Sequence, residues 1–334
     1  MLTPESLARL NALGREGLRR HVPLAPYTSF RIGGPAEYLL VIHRLDHLTA
    51  ALSALHQAQT SFLLLGGGSN VLISDAGVPG LTIINQCKSI SWPEHSQHKE
   101  QIMSVTVESG APLAGFARES IHRGFANLSW AVSIPGSVGG AIVGNAGAHG
   151  GDIAKSLLRV QVWRAGRTEV WPAAELAFTY RGSRLKRPSD TASSVVVILS
   201  ATFRLEPDEG GRAQEQARAF LQHRRRTQPT EKSAGSIFKN PPGDYAGRLI
   251  DLAGLKGYCI GDACISEKHA NFIINRGGAS AADVMRLMNL ARQVVWRRFG
   301  LLLEPEIVPI GDWSQGPSLI DPRKPNRNLF PSQS

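Results

Sequence analysis

Three short clusters in this chain combine side chains able to bind or move charge: Tyr180-Arg181-Gly182-Ser183, Gly235-Ser236-Ile237-Phe238-Lys239-Asn240 and Glu304-Pro305-Glu306. Each is embedded in turn-forming sequence. Two glycine-rich stretches carry almost no titratable groups, Gly66-Gly67-Gly68-Ser69-Asn70 and Ser133 to Gly151. Seven of the nineteen residues in the second are glycine, threaded with Ile134, Val138, Ile142 and Val143. Glycine mixed with core-type residues indicates backbone held in unusual dihedrals against something large. That is either a packed turn or a backbone cradle for a cofactor's phosphates or rings. Val71-Leu72-Ile73-Ser74, a strand sequence, follows the first stretch, whereas dinucleotide and P-loop glycines open a helix and the P-loop also needs Gly-Lys-Ser/Thr.

Other constellations carry less. His43 and His47 are four apart without the glutamate of a zinc-protease helix, so no metal site is expected. Gly-x-Ser-x-Gly is absent. The cysteines, Cys87, Cys259 and Cys264, are odd in number without metal-ligand spacing, and read as small buried hydrophobes rather than a disulfide framework. The net charge of +10 is spread out apart from Arg224-Arg225-Arg226, and no nucleic-acid recognition signature accompanies it. Neither a leader-like start nor a membrane-length apolar run is evident, which implies a cytoplasmic chain with no membrane partner.

The elements positioning these clusters follow from periodicity. Thr3-Pro4-Glu5 opens a helix. Strands are expected at 37–42, 61–65, 71–74, 81–85 and 103–108, with helices through Leu48, Leu52 and Leu55 and over 112–123. A hairpin turns at Gly166, and 195–204 is a long apolar strand. A polar connection, Glu206 to Gly211, marks a boundary. Helices at 213–226 and 244–253, a strand at 271–275, a Ser280-capped helix and a final strand at 301–310 follow. Residues from 312 onward are rich in Pro, Ser, Asn and Gln and read as a disordered tail.

The clusters, taken with Phe30-Arg31-Ile32-Gly33-Gly34-Pro35-Ala36, Ile134 to Gly147, Ala253 to Gly257, Ser266 to Phe272 and Leu303 to Val308, closely resemble the UDP-N-acetylenolpyruvoylglucosamine reductases. The resemblance spans Tyr27 to Ile310. It implies an α+β chain: a two-subdomain FAD-binding fold of the vanillyl-alcohol-oxidase type, over residues 1–86 and 87–208, then an α/β UDP-sugar domain over 209–311. Arg204 reaches Arg212 through a short connection, resembling the form of the family without an inserted tyrosine loop. Ser133 and Gly144 depart from the family pattern, which favours glycine and a larger residue there.

The implied reaction is NADPH-dependent reduction, through FAD, of an enolpyruvyl ether of UDP-N-acetylglucosamine to UDP-N-acetylmuramic acid. Hydride addition leaves carbanion character beside the carboxylate, which calls for a fixed cation and a proton donor. The resemblance assigns the donor to Ser236, carboxylate binding to Arg181, and the acid to Glu306, with a raised pKa; Lys239 is a candidate assistant to Ser236. Glu304 is its confounder, on the same strand face by period two. Cofactor contacts implied are Arg31, Gly33, Gly66, Gly67, Gly68, Ser69, Asn70, Ile134, Pro135, Gly136, Ser137, Gly139, Gly140, Asn145 and Gly147. Tyr180, Lys239, Asn240 and His269 are candidate substrate contacts, and Arg224 to Arg226 either neutralise the diphosphate or form a solvated helix face. The alternatives are another flavin oxidoreductase on this fold, which would not need Ser236 and Glu306, and a basic nucleotide-binding protein, which leaves the glycine loops unexplained.

Overall fold

The structure is a computed structural model describing residues 3–93, 102–186 and 195–324. Its helices are α1 (Pro4–Asn11), α2 (Leu45–Gln57), α3 (Leu113–His122), α4 (Val138–Val143), α5 (Ala213–Thr227), α6 (Ala246–Leu252) and α7 (Ala281–Phe299). The strands of the first half are β1 (Leu18–Pro23), β2 (Pro35–Ile42), β3 (Phe62–Leu65), β4 (Val71–Ile73), β5 (Val78–Asn85), β6 (Ile90–Ser91), β7 (Met103–Glu108), β8 (Gly147–Ala148) and β9 (Gly151–Asp152). They continue with β10 (Leu157–Arg164), β11 (Arg167–Pro172), β12 (Val196–Leu205), β13 (Cys259–Ile260), β14 (Ala263–Ile265), β15 (Ile273–Asn275) and β16 (Val308–Ile310). The chain forms two compact units, the described parts of Met1–Val22, Glu37–Gly67 and Gly80–Arg224, and of Pro23–Ala36, Gly68–Pro79 and Arg225–Ser334.

The first unit holds a four-stranded sheet, order β1-β2-β5-β3, and a five-stranded sheet, order β11-β10-β12-β7-β6. Leu48, Leu52 and Leu55 of α2 lie on one helical face and pack on Leu40, Ile42, Leu81 and Ile83 of the first sheet. In the second sheet Phe116 of α3 joins Val105, Val107, Ala201 and Phe203. Strand β12 explains its own apolar run. Val197 and Leu199 enter the first core while Ile198, Ala201 and Phe203 enter the second, so both faces are buried. The β10–β11 turn at Ala165 and Gly166 has two positive φ values, the geometry that matches hairpin twist.

The second unit is built on α7. Ser280 and Asp283 form a capping box, and Asp75 accepts from the amides of Ala281 and Ala282 at 2.8 and 2.9 Å. Val284, Leu287, Met288, Ala291 and Val295 face a core containing Phe30, Leu72, Ile237 and Phe238. The antiparallel sheet β13-β14-β15 and the parallel pair β4–β16 complete it.

Three expectations are corrected. Cys259 and Cys264 face each other across β13 and β14 and are disulfide-bonded; the hairpin makes near neighbours of residues that linear spacing kept apart. Only Cys87 is free, and buried. The final strand is confined to 308–310, because 301–307 runs as irregular chain joined to its neighbour through a bridge at Pro305, which has no amide hydrogen for a ladder. The period-two argument for Glu304 and Glu306 therefore does not apply. Residues 312–324 are ordered: Asn289 donates to Ser318 O and accepts from Ile320 N, and Arg292 donates to Ile320 O. Polar side chains on α7 supply the partners that composition could not reveal. Residues 325–334 of the expected tail lie outside the described residues.

Candidate active site

In the first unit the two glycine stretches pack backbone to backbone. A Cβ on Gly66 would fall 2.0 Å from Ser137 Oγ, and one on Gly67 2.8 Å from Gly136 Cα. A Cβ on Gly139 would meet Ser109 Cβ at 2.9 Å. Ser137 caps α4, accepting from Gly140 N at 3.4 Å. The inner sides of these loops thus require glycine for their own fit. Their outer sides, at Gly67, Pro135 and Gly140, are exposed and carry no charge, and a Cβ on Gly140 would meet nothing closer than Ser137 Oγ at 3.5 Å. Bare backbone of this kind fits the flat rings and phosphates of FAD.

Asn145, expected to touch the cofactor, is buried with φ +42 and uses its side chain internally. It donates to Thr179 O at 3.0 Å and accepts from Ala154 N at 3.2 Å. It thereby holds the Thr179–Gly182 turn that presents Tyr180 and Arg181. Arg181 adopts φ +55 and donates from its guanidinium to Gly147 O at 2.8 Å. Ser183 donates to Val143 O at 2.8 Å, so the turn is tied to the glycine segment on both sides. Tyr180 is largely exposed.

Sequence reading did not anticipate the ring cluster in this unit. His149 stacks on Phe220 of α5 with centroids 4.0 Å apart, and His223 meets it edge-on at 5.7 Å. Burial first, then the charges of His223 and Arg224, lowers the His149 pKa. Only the fold brings residue 149 to α5, so no local signal could have shown this. Arg224 donates to Ser133 O, with its pKa lowered by burial, while Arg225 and Arg226 are exposed.

The second unit brings Ser236 and Glu306 onto adjoining segments. Ser236 bridges Phe272, and the next residue, Ile237, accepts from Glu306 N at 2.8 Å. Asn271 fixes this loop by accepting from Phe238 N at 2.9 Å, donating to Phe238 O at 2.8 Å, and accepting from Ile237 N through its own carbonyl at 2.9 Å. Lys239 sits with its ammonium 3.1 Å from the Glu304 carboxylate, so Glu304 rather than Ser236 is the partner in place. Asn240 accepts from Ala246 N at 3.1 Å, capping α6. His269 accepts at Nδ1 from Asn271 N at 3.2 Å, which leaves its proton on Nε2, and burial keeps it neutral by lowering its pKa.

Arg31, Gly33, Gly68, Ser69 and Asn70 also belong to this unit. Arg31 has φ +57 and donates to Pro26 O. A Cβ on Gly33 would meet Ile73 Cβ at 3.1 Å, and one on Gly68 would lie 2.1 Å from Tyr27 O. Asn70, expected at the cofactor, donates its side-chain amide to Glu306 O at 3.0 Å and accepts from Val308 N at 3.0 Å. Its side chain is a strut for the candidate acid.

Exposed glycine backbone beside a fixed arginine turn, and Ser236 and Glu306 on adjoining segments of the second unit, suit an FAD-dependent oxidoreductase. Residues 36–171 match an FAD-binding domain and residues 228–310 match the C-terminal domain of UDP-N-acetylenolpyruvoylglucosamine reductase. Reductases of that name from Chloroflexus aggregans and Symbiobacterium thermophilum are 41% and 42% identical over 87% of this chain, covering 96% and 91% of their own lengths. The crystal structure of the enzyme from Thermus caldophilus is similar at 32% identity and TM-score 0.70, over 87% of this chain and 99% of that one. The chain belongs to the UDP-N-acetylenolpyruvoylglucosamine reductase family, with the α+β, FAD-binding fold expected of it.

Proposed function

We propose that this protein uses NADPH to reduce the enolpyruvyl ether of UDP-N-acetylglucosamine to the lactyl ether, UDP-N-acetylmuramic acid, in peptidoglycan precursor synthesis. The observation that carries the reading is the join between Ser236 and Glu306, through the Glu306 N to Ile237 O bond at 2.8 Å, inside the matched C-terminal domain. The functional division is taken as FAD binding over 1–86 and 87–208 and UDP-sugar binding over 209–311. Among the described residues no helix is long and apolar enough to cross a membrane.

When bound, FAD supplies hydride exchange between NADPH and the vinyl carbon. Ile134, Pro135 and the glycines of the two loops would hold it. Arg181, whose guanidinium donates to Gly147 O, is the cation for the substrate carboxylate and offsets the charge that develops beside it. Ser236 donates the proton to the carbon next to that carboxylate, and Glu306 orients the developing acid through hydrogen bonds. Tyr180 in the first unit, and Lys239, Asn240 and His269 in the second, are the candidate UDP-sugar contacts.

Stopped-flow measurement of the two half-reactions tests this. Ser236→Ala is expected to leave flavin reduction by NADPH within twofold of wild type and to slow flavin reoxidation by UDP-N-acetylglucosamine enolpyruvate at least ~100-fold, the usual scale of a lost general acid. Equal rates in both half-reactions would remove Ser236 as the donor.

A further inference from the structure

Arg292 is 7% exposed in the middle of α7, and a buried cation needs compensating partners. Its Nε donates to Leu303 O at 2.9 Å, and its NH1 group donates to Ile320 O. Burial lowers its pKa, against a smaller opposing effect of Asp321. One guanidinium therefore spans two backbone carbonyls, one three residues before Glu306 and the other in the segment after β16. Asn289, one turn earlier on α7, sets the register of that second segment. It donates to Ser318 O at 2.8 Å and accepts from Ile320 N at 3.0 Å.

The Leu303 carbonyl begins the stretch whose next residues form the candidate site. Glu304 O accepts from Lys239 N at 2.9 Å, and Glu306 N donates to Ile237 O at 2.8 Å. We propose that residues 318–320 act as a strap that, through Arg292, fixes the position of Glu306, making Arg292 a positioning residue for the proton-transfer half of the reaction. This rests on the function proposed above. Without the strap the guanidinium loses one of its two carbonyls. It then turns toward water, releasing Leu303 O and loosening the 303–306 chain against Ile237 and Lys239. A lysine cannot replace it, since one ammonium on a flexible stem does not present a planar fork to both carbonyls.

The test compares the full chain with chains ending at Lys324 and at Gly316, and with Arg292→Lys and Arg292→Met. The chain ending at Lys324 is expected to match the full chain. The chain ending at Gly316 and both Arg292 variants are expected to show reoxidation by the enolpyruvyl substrate slowed at least ~10-fold, with NADPH reduction within twofold of wild type. Amide exchange at Glu306 and Lys239 is expected to accelerate at least ~10-fold in the same proteins, since lost anchoring raises local opening. If the shortened chain does not fold, Asn289→Ala, which removes two of the three bonds to the strap at full length, is measured in the same way. Unchanged exchange at those two amides, or parallel loss of both half-reactions, would overturn the proposal. A wild-type protein inert toward the enolpyruvyl substrate sinks the functional reading, while the exchange comparison still decides the strap.

Discussion

Asn271 offers the sharpest test of how the second unit is held together. It is 3% exposed, and its side chain takes both the amide and the carbonyl of Phe238, itself 2% exposed. Asn271→Ala leaves two buried backbone groups without partners. Each costs about 1–3 kcal/mol, so the variant is expected to lose roughly 2–6 kcal/mol. For a chain of 334 residues each kcal/mol corresponds to about 1.4 °C, so the melting temperature is expected to fall by at least ~3 °C in a thermal scan. Asn271→Asp adds a sign. At neutral pH its carboxylate still accepts from Phe238 N but opposes Phe238 O, and the cost of burying the charge raises its folded pKa. Protonation restores a donor toward Phe238 O, so this variant gains stability as pH falls toward that pKa from above. A melting temperature for Asn271→Ala within about 2 °C of wild type, or no such acid rescue in Asn271→Asp, would refute the reasoning.

Gly139→Ala and Gly140→Ala separate fold from cofactor. The first drives a Cβ to 2.9 Å from Ser109 Cβ and is expected to destabilise the apoprotein by about 1–3 kcal/mol. The second meets only Ser137 Oγ at 3.5 Å and, being helical, is expected to leave the apoprotein unchanged or up to ~1 kcal/mol more stable while lowering flavin absorbance per chain. His269 has a folded pKa lowered from 6.5 by burial, so its unfolded form binds the extra proton and stability falls as pH drops through and below 6.5. His269→Asn, which keeps an acceptor for Asn271 N, is expected to flatten the stability slope between pH 7 and 5 by up to ~1.4 kcal/mol per pH unit in denaturant titrations. Non-reducing peptide mapping is expected to find Cys259 joined to Cys264. Native alkylation is expected to spare Cys87, whose thiol burial pushes up to about 12.

Features encoded by short-range period were legible from sequence. Leu48, Leu52 and Leu55 announce α2, Ser280 announces the start of α7, and Gly166 announces the β10–β11 turn. The glycine stretches announced crowded backbone, and Gly66 and Gly67 against Gly136 and Ser137 are the crowding. What escaped depends on partners distant along the chain. Nothing local to Asn70 indicates that its amide supports Glu306, nor does Arg292 advertise two carbonyls as its counter-groups. Nor does asparagine in a glycine loop announce which neighbour its side chain serves, and the side chain of Asn145 holds the turn before Arg181. The strand expected at 301–310 also started too early, since Pro305 lacks an amide hydrogen for a ladder and only 308–310 pair.

The pairing of β4 with β16 has a consequence for biosynthesis. Asn70 leaves the ribosome early, yet Glu306, which it holds, is 236 residues further on. At about 5–20 residues per second that interval is roughly 12–50 s. Until residues 281–299 are made, Phe30 and Leu72 have no α7 to pack against, and Asp75 has no helix to cap. The nascent chain therefore carries these apolar segments without their α7 partners for most of its synthesis. This makes the early loops, rather than the late helix, the natural place for a chaperone to bind and for a translational pause to do harm.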